Sequence, residues 1–572
     1  MNPVKHTAFS PSFPIRSAAD VQRLASIPLA QALTVSSTYD IMCRSAATFG
    51  DKIALTFLLT AQPDGLPVRM SYRQLLAAIH QTANALHGLG VCPTDAVALL
   101  LPGCMEYQYA LWGSEAAGIA QPLNPLLSDE KLVSLMNATR AKVLIAWGDA
   151  GNDGGAQIWE KTQRIRALVP SLKTVLRLGG AGDLPPNTLD FAATLAAQNP
   201  DCLNSARVIA GSDIAAYFHT GGTTGAPKLA RHSHAAQVFS AWASVQLQGI
   251  SPSDITLNGY PLFHVAGVLP VSLAALSAGV EIITPTTTLF RNKDVIANYW
   301  ALIERHRVTV LSAVPTVLAA LCNVPLNGAD ISSLRYCRTG AAPLSPELAA
   351  RFKALFGLHV HESYGMTETA GIATITPPGV HGPAGSVGFA LPYAQLRIAA
   401  LDAQGKASLE AANLGEQGAV LYRAPNVFSG YLDPADNLDA WVDGWLNTGD
   451  IGRIDAQGRL HITGRSKDLI IRSGHNIDPK VIEDALATHP AIELCAAVGM
   501  KDAYAGELPV VFATLRPGFS VNDTELLAHV CERVDEPPAK PKWVRVLTAM
   551  PMTNVGKIYK PELREMANEQ LG

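Results

Sequence analysis

A twelve-residue stretch rich in glycine and threonine constrains this chain more than any other feature. It spans residues 217–228, reads YFHTGGTTGAPK, and begins inside the apolar run 214–218. An apolar run that enters such a stretch predicts a strand followed by a flexible, hydroxyl-lined turn. Glycines let the backbone approach a ligand closely, threonines donate hydrogen bonds, and the lysine adds a positive charge. This combination suits phosphate oxygens, which bind where many donors converge.

Two other interpretations of the stretch are a plain surface turn and a Walker A loop. A Walker A loop requires G-x-x-x-x-G-K-[ST]. Here two residues separate Gly225 from Lys228, and Leu229 stands where the magnesium-binding hydroxyl should be. The spacing excludes a Walker A loop. A surface turn stays open at this point, because a glycine loop alone does not distinguish it from a nucleotide loop.

Length and composition indicate a globular protein with more than one domain. The 572 residues exceed what one hydrophobic core usually supports. An apolar content of 48% with 16% charged residues argues against disorder, and a net charge of −4 provides no basic field for nucleic acid. The eight cysteines contain no C-x-x-C pair, which favours reduced thiols over a zinc site.

Two segments bear on membrane association. The first residues carry no apolar stretch typical of a signal peptide, so we expect a cytoplasmic protein. Residues 255–280 contain no Asp, Glu, Lys or Arg, and on length alone they could span a bilayer. Asn258, Pro261, His264 and Pro270 interrupt this run, so we expect a buried strand–loop–helix unit and no membrane span.

The rest of the chain alternates strand and helix patterns. Residues 96–101 and 142–147 predict buried strands, with a helix over residues 107–117 between them. Another helix is predicted to begin at Ser71, and one to begin near Ser128. Strands that alternate with helices indicate βαβ units and parallel sheets, hence the α/β class.

Three regions have weaker patterns. Residues 1–35 predict a poorly specified N-terminal extension. Residues 149–205 are rich in Gly and Pro and predict an irregular connection within one domain. Residues 496–534 predict a βαβ-like arrangement.

Six further segments combine small, aromatic and charged residues. They are residues 261–267 (PLFHVAG), 339–343 (TGAAP), 361–368 (HESYGMTE), 444–450 (GWLNTGD), 464–483, and 551–557 (PMTNVGK). Taken singly, each could be an ordinary link between elements, and His264 a hydrogen-bonded core histidine. Tyr364, however, can stack on a purine, and the carboxylate of Glu368 suits Mg²⁺. Asp450 can accept hydrogen bonds from two hydroxyl groups.

In this order the segments resemble the adenylate-forming superfamily, which contains AMP-forming acyl-CoA synthetases, luciferases and peptide-synthetase adenylation domains. The resemblance covers residues 36–566. The family's phosphate loop reads Thr-Ser-Gly-Thr-Thr-Gly-x-Pro-Lys-Gly, from which two positions depart. Gly221 replaces the serine and Leu229 the last glycine. Neither change removes a donor that the loop backbone cannot supply.

The resemblance implies two domains of α/β and α+β type. A large domain over residues 36–467, with βαβ-type sheets packed with helices, would bind ATP and the acid. A small mobile domain over residues 468–572 would carry the catalytic lysine and rotate about Asp468.

The resemblance also implies residue roles. The catalytic set would be Lys557, Glu368, Thr220 and His264, of which Glu368 and Thr220 would hold Mg²⁺. Nucleotide contacts would come from Thr220, Gly221, Gly222, Thr223, Thr224, Gly225, Lys228, Gly340, Ala341, Ala342, Glu362, Ser363, Tyr364, Gly365, Thr367, Asp450 and Arg465. Gly474 would let the pantetheine thiol of coenzyme A pass close to the backbone.

The implied reaction converts a carboxylic acid and ATP into an acyl-adenylate, then transfers the acyl group to coenzyme A and releases AMP. Small aliphatic residues after His264, and the lack of Asp in residues 255–293, favour a fatty or other apolar acyl or aryl acid over an amino acid. A stand-alone adenylation enzyme that loads a carrier protein is the main alternative. A luciferase-like oxygenase is weaker, since many such proteins of the superfamily are synthetases in any case. A silent binding protein is weaker because it would not need the retained Lys557.

Overall fold

The computed structural model describes residues 9–148, 154, 156–220, 227–383, 385–402, 406–472, 475–502, 504–553 and 557–569. Within these ranges, strands form four sheets of seven, nine, six and five strands, and helices pack around them. The predicted α/β class is confirmed.

The strands, in chain order, are β1 (Ile53–Leu58), β2 (Pro67–Ser71), β3 (Ala96–Leu100), β4 (Ile119–Pro122), β5 (Val143–Trp147), β6 (Thr174–Leu178), β7 (Thr188–Asp190), β8 (Ile214–His219), β9 (Leu229–Ser233), β10 (Ile255–Leu257), β11 (Glu281–Pro285), β12 (Val310–Ser312), β13 (Tyr336–Thr339), β14 (Val360–Tyr364), β15 (Thr374–Ile375), β16 (Phe389–Ala390), β17 (Gln395–Leu401), β18 (Ala407–Ala411), β19 (Gly418–Arg423), β20 (Trp441–Val442), β21 (Trp445–Ile454), β22 (Leu460–Arg465), β23 (Ile470–Arg472), β24 (His475–Ile477), β25 (Ile492–Asp502), β26 (Gly506–Leu515) and β27 (Val544–Val546).

The α-helices are α1 (Ala18–Ala25), α2 (Leu29–Ala32), α3 (Thr38–Phe49), α4 (Tyr72–Gly88), α5 (Glu106–Ala117), α6 (Asp129–Thr139), α7 (Ile158–Ile165), α8 (Phe191–Ala196), α9 (His234–Gln248), α10 (Ala274–Ser277), α11 (Lys293–Ala297), α12 (Tyr299–His306), α13 (Pro315–Leu321), α14 (Pro346–Phe356), α15 (Pro479–Ala487), α16 (Asp523–Arg533) and α17 (Lys560–Asn568). A π-helical segment spans Gly267–Leu273, and short 3₁₀ segments span Arg166–Leu168, Leu289–Arg291, Thr367–Thr369, Pro434–Asn437, Ser466–Asp468 and Pro537–Ala539.

The seven-stranded sheet, ordered β7-β6-β5-β3-β4-β8-β9, carries the glycine-rich stretch. The predicted strands over residues 96–101 and 142–147 are β3 and β5, which pair in parallel. The apolar run before the glycines is β8, as predicted, and the chain returns antiparallel to it as β9. The glycine-rich stretch therefore joins two hydrogen-bonded strands at one end of this sheet.

The prediction of an irregular connection over residues 149–205 is wrong for the described part of that segment. There α7 and α8 flank β6 and β7, which extend the parallel sheet by two strands. The pattern of β6 was obscured because Arg177 interrupts its apolar residues. In the fold Arg177 lies 5% exposed, with its guanidinium 5.5 Å from the centre of the Trp159 ring.

The prediction of a poorly specified extension is also wrong for residues 9–35. Ser17 caps α1, and Val21 and Leu24 of that helix pack into a core with Phe239 and Trp242 of α9. Helix α1 buries only these two side chains and α2 buries none, so their periodic pattern in the sequence is weak.

The nine-stranded sheet brings several motifs to one edge. Its order is β16-β15-β14-β13-β12-β10-β11-β1-β2, and the strands from β14 through β1 run parallel. The carboxyl ends of parallel strands meet at one edge of a sheet, where ligands bind in open α/β folds. Residues 261–267, 339–343 and 365–368 follow β10, β13 and β14 and therefore lie along that edge.

The apolar run 255–280 forms the strand–loop–helix unit that was predicted. It contains β10, the π-helical segment and α10, and the last two are buried throughout. Among the helices of the described ranges, none combines the length and apolarity needed to cross a membrane.

The C-terminal sheet differs in part from the βαβ-like prediction. Strands β25 and β26 form a long antiparallel hairpin, whereas β26 and β27 pair in parallel across α16. The prediction is therefore right for the second unit and wrong for the first. Only three residues link β25 to β26, too few for a crossover, so these strands pair as an antiparallel hairpin.

Candidate active site

The ends of β8 and β9 fix the entrance of the glycine-rich stretch. The Thr220 backbone N–H donates to the carbonyl oxygen of Lys228 at 2.8 Å. The Lys228 ammonium lies 3.2 Å from Oδ1 of Asp436 and 5.0 Å from the centre of the Tyr431 ring. The predicted phosphate contacts Gly221, Gly222, Thr223, Thr224 and Gly225 lie outside the described residues, as does Gly474.

Glu368 lies in the 3₁₀ turn after β14, with 6% of its surface exposed. The hydroxyl of Tyr431 donates to its Oε1, and its backbone carbonyl accepts from the Phe428 N–H at 2.9 Å. Tyr431 thus binds the predicted magnesium ligand through its hydroxyl and faces the Lys228 ammonium with its ring. Sequence reasoning missed Tyr431 because its partner is 63 residues away.

The predicted ribose carboxylate, Asp450, is held from two sides. Tyr364 donates its hydroxyl to Oδ2 of Asp450 at 2.5 Å, and Arg465 donates from Nε to Oδ1 at 2.8 Å. The β21–β22 ladder pairs Asp450 directly with Arg465. The Asp450 charge raises the pKa of Arg465, so this guanidinium stays charged. The structure therefore brings three predicted nucleotide residues from three strands together.

The turn after β13 packs against β14 with little space between them. A Cβ at Gly340 would lie 2.9 Å from the carbonyl oxygen of Ser363, whose hydroxyl donates to the Thr339 carbonyl at 3.1 Å. Ala341 has a φ of 70°, and Ala342 follows in the same turn. The narrow gap therefore leaves no room for a side chain at Gly340.

Residues of β14 and its following turn complete this wall. Burial raises the pKa of Glu362 to about 7, and its Oε2 accepts from the Leu344 N–H at 3.4 Å. A Cβ at Gly365 would approach the Gly371 carbonyl oxygen to 2.5 Å, so only glycine fits. Thr367 is buried.

His264 lies beyond the carboxyl end of β10, in the segment that precedes the π-helical stretch. Its Nδ1 accepts from the Ala266 N–H at 3.2 Å, which leaves the proton of the neutral ring on Nε2. Burial lowers the pKa of His264 to about 3, and the charge of Lys557 adds to that effect. His219 was missed by sequence reasoning; its ring stacks on Phe263 with centroids 6.1 Å apart. Burial also lowers the pKa of His219 to about 4, so both imidazoles are neutral at neutral pH.

Lys557 comes from the far end of the chain yet lies among these groups. Burial, assisted by the charges of Arg465 and Lys467, lowers its pKa to about 8 against the opposing charges of Asp450 and Glu368. The Lys557 N–H donates to Oγ1 of Thr553 at 3.0 Å, which fixes its backbone. No ion pair within the described ranges includes Lys557. The charges of Asp450 and Glu368 thus act on its ammonium, although neither forms an ion pair with it among the described residues.

Asp468, the predicted hinge residue, ends the 3₁₀ segment Ser466–Asp468. Its Oδ1 lies 2.8 Å from Nη2 of Arg564 in α17. Burial raises the pKa of Asp468, but Lys560 and Arg564 outweigh burial and hold it below its usual value. Lys560 also pairs with Glu483 of α15 at 2.7 Å. These contacts connect the hinge position to the helix that begins just after Lys557.

The donor set fits magnesium in one specific way. No cluster of three or more His, Cys, Asp or Glu side chains arranged for a metal occurs among the described residues. Magnesium in nucleotide enzymes is commonly held by one or two carboxylates together with substrate phosphates. Glu368 could provide such a carboxylate, and Thr220 a hydroxyl at the base of the glycine-rich stretch.

Comparison with known proteins establishes the family. The AMP-binding enzyme family matches residues 43–432, and the AMP-binding enzyme C-terminal domain matches residues 481–557. Marinolic acid–CoA ligase of Pseudoalteromonas sp. (strain SANK 73390) is 34% identical, over 96% of this chain and 84% of its own length. 4-Coumarate–CoA ligase 1 of Petroselinum crispum is 30% identical, over 86% and 88%.

Solved structures agree with these sequence relatives. The anthranilate CoA ligase AuaEII in complex with anthranoyl-AMP superimposes with a TM-score of 0.82 at 26% identity, over 95% of this chain and 98% of that one. ATP-bound MatB from Rhodopseudomonas palustris gives 0.80 at 26% identity, over 94% and 100%. The protein uses ATP to activate an acid and ligates it to coenzyme A. The chain therefore belongs to the AMP-binding enzyme family, as an AMP-forming acid–CoA ligase.

Proposed function

We propose that this ligase activates a fatty or other apolar acyl or aryl acid in the cytoplasm, with Mg²⁺ and Lys557 assisting the adenylation step. The observation that carries the proposal is the proximity of Lys557 to His264, Glu368, Asp450 and Arg465. One cation from the C-terminal part of the chain thereby joins the nucleotide residues and the acid-pocket histidine.

In the adenylation step, a carboxylate oxygen of the acid attacks the α-phosphorus of ATP. The bond from that phosphorus to the bridging oxygen breaks, and pyrophosphate leaves. Two anions must approach each other, so positive charge at the reacting centre supplies most of the acceleration. Lys557 and Arg465 provide it, while Asp450 holds Arg465 in place. Magnesium, when held by Glu368 and the phosphates, would neutralise part of the phosphate charge.

In the second step, the thiol of coenzyme A attacks the acyl carbonyl carbon, the thiol proton is lost, and AMP leaves. Because the mixed anhydride is a reactive acceptor, this step depends less on a cation at the α-phosphate than the first step does. We propose that residues 468–572 act as a mobile lid that turns about Asp468 between the steps. The Asp468–Arg564 ion pair links the hinge to α17, so a rotation about Asp468 would move α17 and carry Lys557 away from the nucleotide.

The proposed apolar tail rests on the wall beside His264. Tyr260, Val271 and Val314 form a buried cluster against which Ala266 and Ala341 pack. Relatives do not select one acid: their names include marinolic acid, 4-coumarate, a long-chain fatty acid and sulfoacetate. The lining residues support an apolar segment next to the reacting carboxyl.

Product analysis tests this function. The full chain is incubated with ATP, Mg²⁺, coenzyme A and fatty and aromatic acids, and products are identified by mass spectrometry. We expect acyl-CoA together with AMP for at least one apolar acid, and none without ATP.

The Lys540→Ala variant, altered at an exposed lysine, is the matched control and should keep this activity. Acyl-adenylate and pyrophosphate without acyl-CoA would instead favour a carrier-protein acceptor. Products from charged amino acids alone would contradict the apolar tail.

A further inference from the structure

A buried arginine stands inside the wall of the acid pocket without a carboxylate partner. Arg338 of β13 is 6% exposed. Its Nε donates to Oγ of Ser312 at 3.0 Å, and its Nη1 donates to Oε1 of Gln248 and to the Pro270 carbonyl oxygen at 3.3 Å. These acceptors are all neutral. None of the hydrogen bonds found within the described ranges uses Nη2.

The carboxylate whose charge acts on Arg338 belongs to Asp254, and it already pairs with another arginine. Asp254 accepts from Nε of Arg335 at 2.6 Å and from Nη2 of the same residue at 2.5 Å. The Thr309 hydroxyl also donates to Asp254, at 2.7 Å. No ion pair of the described residues includes Arg338. Its buried positive charge is therefore compensated by no ion pair among the described residues, and Asp254 acts on it only while paired to Arg335.

The position of Arg338 is on the acid-pocket side of the sheet. The alternation of β13 puts Cys337 into the core on the opposite face, with the helices α12 and α14. Arg338 meets Pro270 and influences the pKa of Tyr260, both of which belong to the segment around His264. Gly340 is two positions further along the chain, about 6–7 Å along a strand. Arg338 thus lies deeper in the proposed acid pocket than the small-residue turn after β13, where the acid would react.

Helix α9 lines the same region with polar groups. It is buried along nearly its whole length, yet Gln237, Ser240, Ser244 and Gln248 recur at helical spacing on one face. Ser240 donates to the Ala370 carbonyl at 2.8 Å, close behind Glu368, and Gln248 binds Arg338. A polar stripe therefore runs along the helix and ends at the guanidinium. The inner part of this wall is more polar than the residues after His264 predict.

A buried guanidinium with only neutral acceptors is costly, because arginine does not lose its proton and desolvation penalises its charge. A ligand with an anionic oxygen group would offset this cost and form charge-assisted hydrogen bonds. We propose that Arg338 is a specificity residue that binds a carboxylate at the far end of the acid's tail. The preferred substrate would then be an acid with an apolar middle and a second, distal carboxylate. This inference rests on the proposed function, since it concerns the same pocket.

Matched pairs of acids test the proposal. Monocarboxylic acids and α,ω-dicarboxylic acids of equal carbon number, from four to fourteen carbons, are compared by AMP release with ATP, Mg²⁺ and coenzyme A. We expect the dicarboxylic acid to have the higher kcat/KM at one length, by about tenfold or more, the worth of one charged hydrogen bond. A wild-type enzyme that prefers the monocarboxylic acid at every length would overturn the proposal.

Two substitutions separate binding from scaffolding. Arg338→Met should lower the ratio of dicarboxylic to monocarboxylic kcat/KM by about tenfold to a hundredfold, and Arg338→Lys should restore part of it. A purely structural arginine would lower both values equally and leave the ratio unchanged, which would contradict the proposal. If Arg338→Met does not fold, the wild-type comparison and Arg338→Lys still decide. Failure of every acid would count against the proposed function, whereas activation of monocarboxylic acids alone would defeat only the role of Arg338.

Discussion

Two lysines bracket the candidate site, and their surroundings differ. Lys228 is the last residue of the glycine-rich stretch, is exposed, and pairs with Asp436 at 3.2 Å. Lys557 is half-buried, has no ion pair within the described part of the chain, and has its pKa lowered to about 8 by burial. The first lysine is neutralised at the rim, and the second is a costly charge at the centre.

The difference indicates how the two charges can act. A rim charge in water that already has a partner adds little binding energy. A desolvated cation without a partner gains much more when an anion arrives, because the interaction replaces no existing ion pair. We therefore expect Lys557 to govern the chemistry of adenylation and Lys228 mainly to assist nucleotide binding.

The largest effect should follow removal of the central charge. Lys557→Ala should lower kcat/KM for adenylation by roughly 10²–10³ or more, because one well-placed group at the developing charge has that value. The measurement is acid-dependent exchange of labelled pyrophosphate into ATP. If the variant loses less than about fivefold of its exchange activity, Lys557 matters no more for adenylation than Lys228 does.

A second large effect concerns the carboxylate predicted to hold magnesium. Glu368→Gln keeps the shape of the side chain but removes its charge, and we expect about a hundredfold loss of adenylation with a raised requirement for Mg²⁺. Magnesium titrations of the variant and of Glu410→Gln, at an exposed carboxylate, give the comparison. An unchanged magnesium dependence would contradict the assignment of Glu368.

The pH profile should show which lysine controls the reaction. Lys557 is active as the ammonium ion, so kcat/KM for adenylation should decrease as pH rises through about 8. The folded-state pKa is below the unfolded value of 10.5, so this group adds stability as pH rises between those values. Lys557→Arg should move the alkaline decrease to higher pH. An alkaline limb that stays near pH 8 in that variant would exclude Lys557 as its source.

The smallest effect belongs to the rim. Lys228→Met should raise KM for ATP by about tenfold or less and leave kcat nearly unchanged, and Asp436→Asn should change it less still. Steady-state kinetics at low and high salt provide the test, since a screened rim charge loses its effect in salt. A large fall in kcat for Lys228→Met would make the two lysines equivalent and remove the contrast.

The parts that sequence predicted share a local signal. Strand β8 joins an apolar run to its glycines within about ten residues, and the turns that follow β13 and β14 are visible as short motifs, residues 339–343 and 361–368. The α4 and α6 starts were equally visible, because Ser71 and Ser128 cap those helices.

The parts that sequence did not predict depend on contacts between distant segments. Tyr431 on Glu368 and Asp436 on Lys228 join residues far apart in the chain, and neither lies in a distinctive local pattern. Strand β6 was missed because Arg177 breaks its apolar run, and only the Trp159 ring and neighbouring carbonyls explain how that charge is buried. The polar inner wall at Arg338 was missed for the same reason.

One measurement tests the central claim, that Lys557 serves only the first half-reaction. Adenylation and thiolation are assayed separately, the second with a supplied acyl-adenylate and coenzyme A. We predict that Lys557→Ala loses adenylation but keeps thiolation, and that Asp468→Pro, altered at the hinge, keeps adenylation but loses thiolation. Loss of both half-reactions in either variant, with the protein folded, would contradict the account.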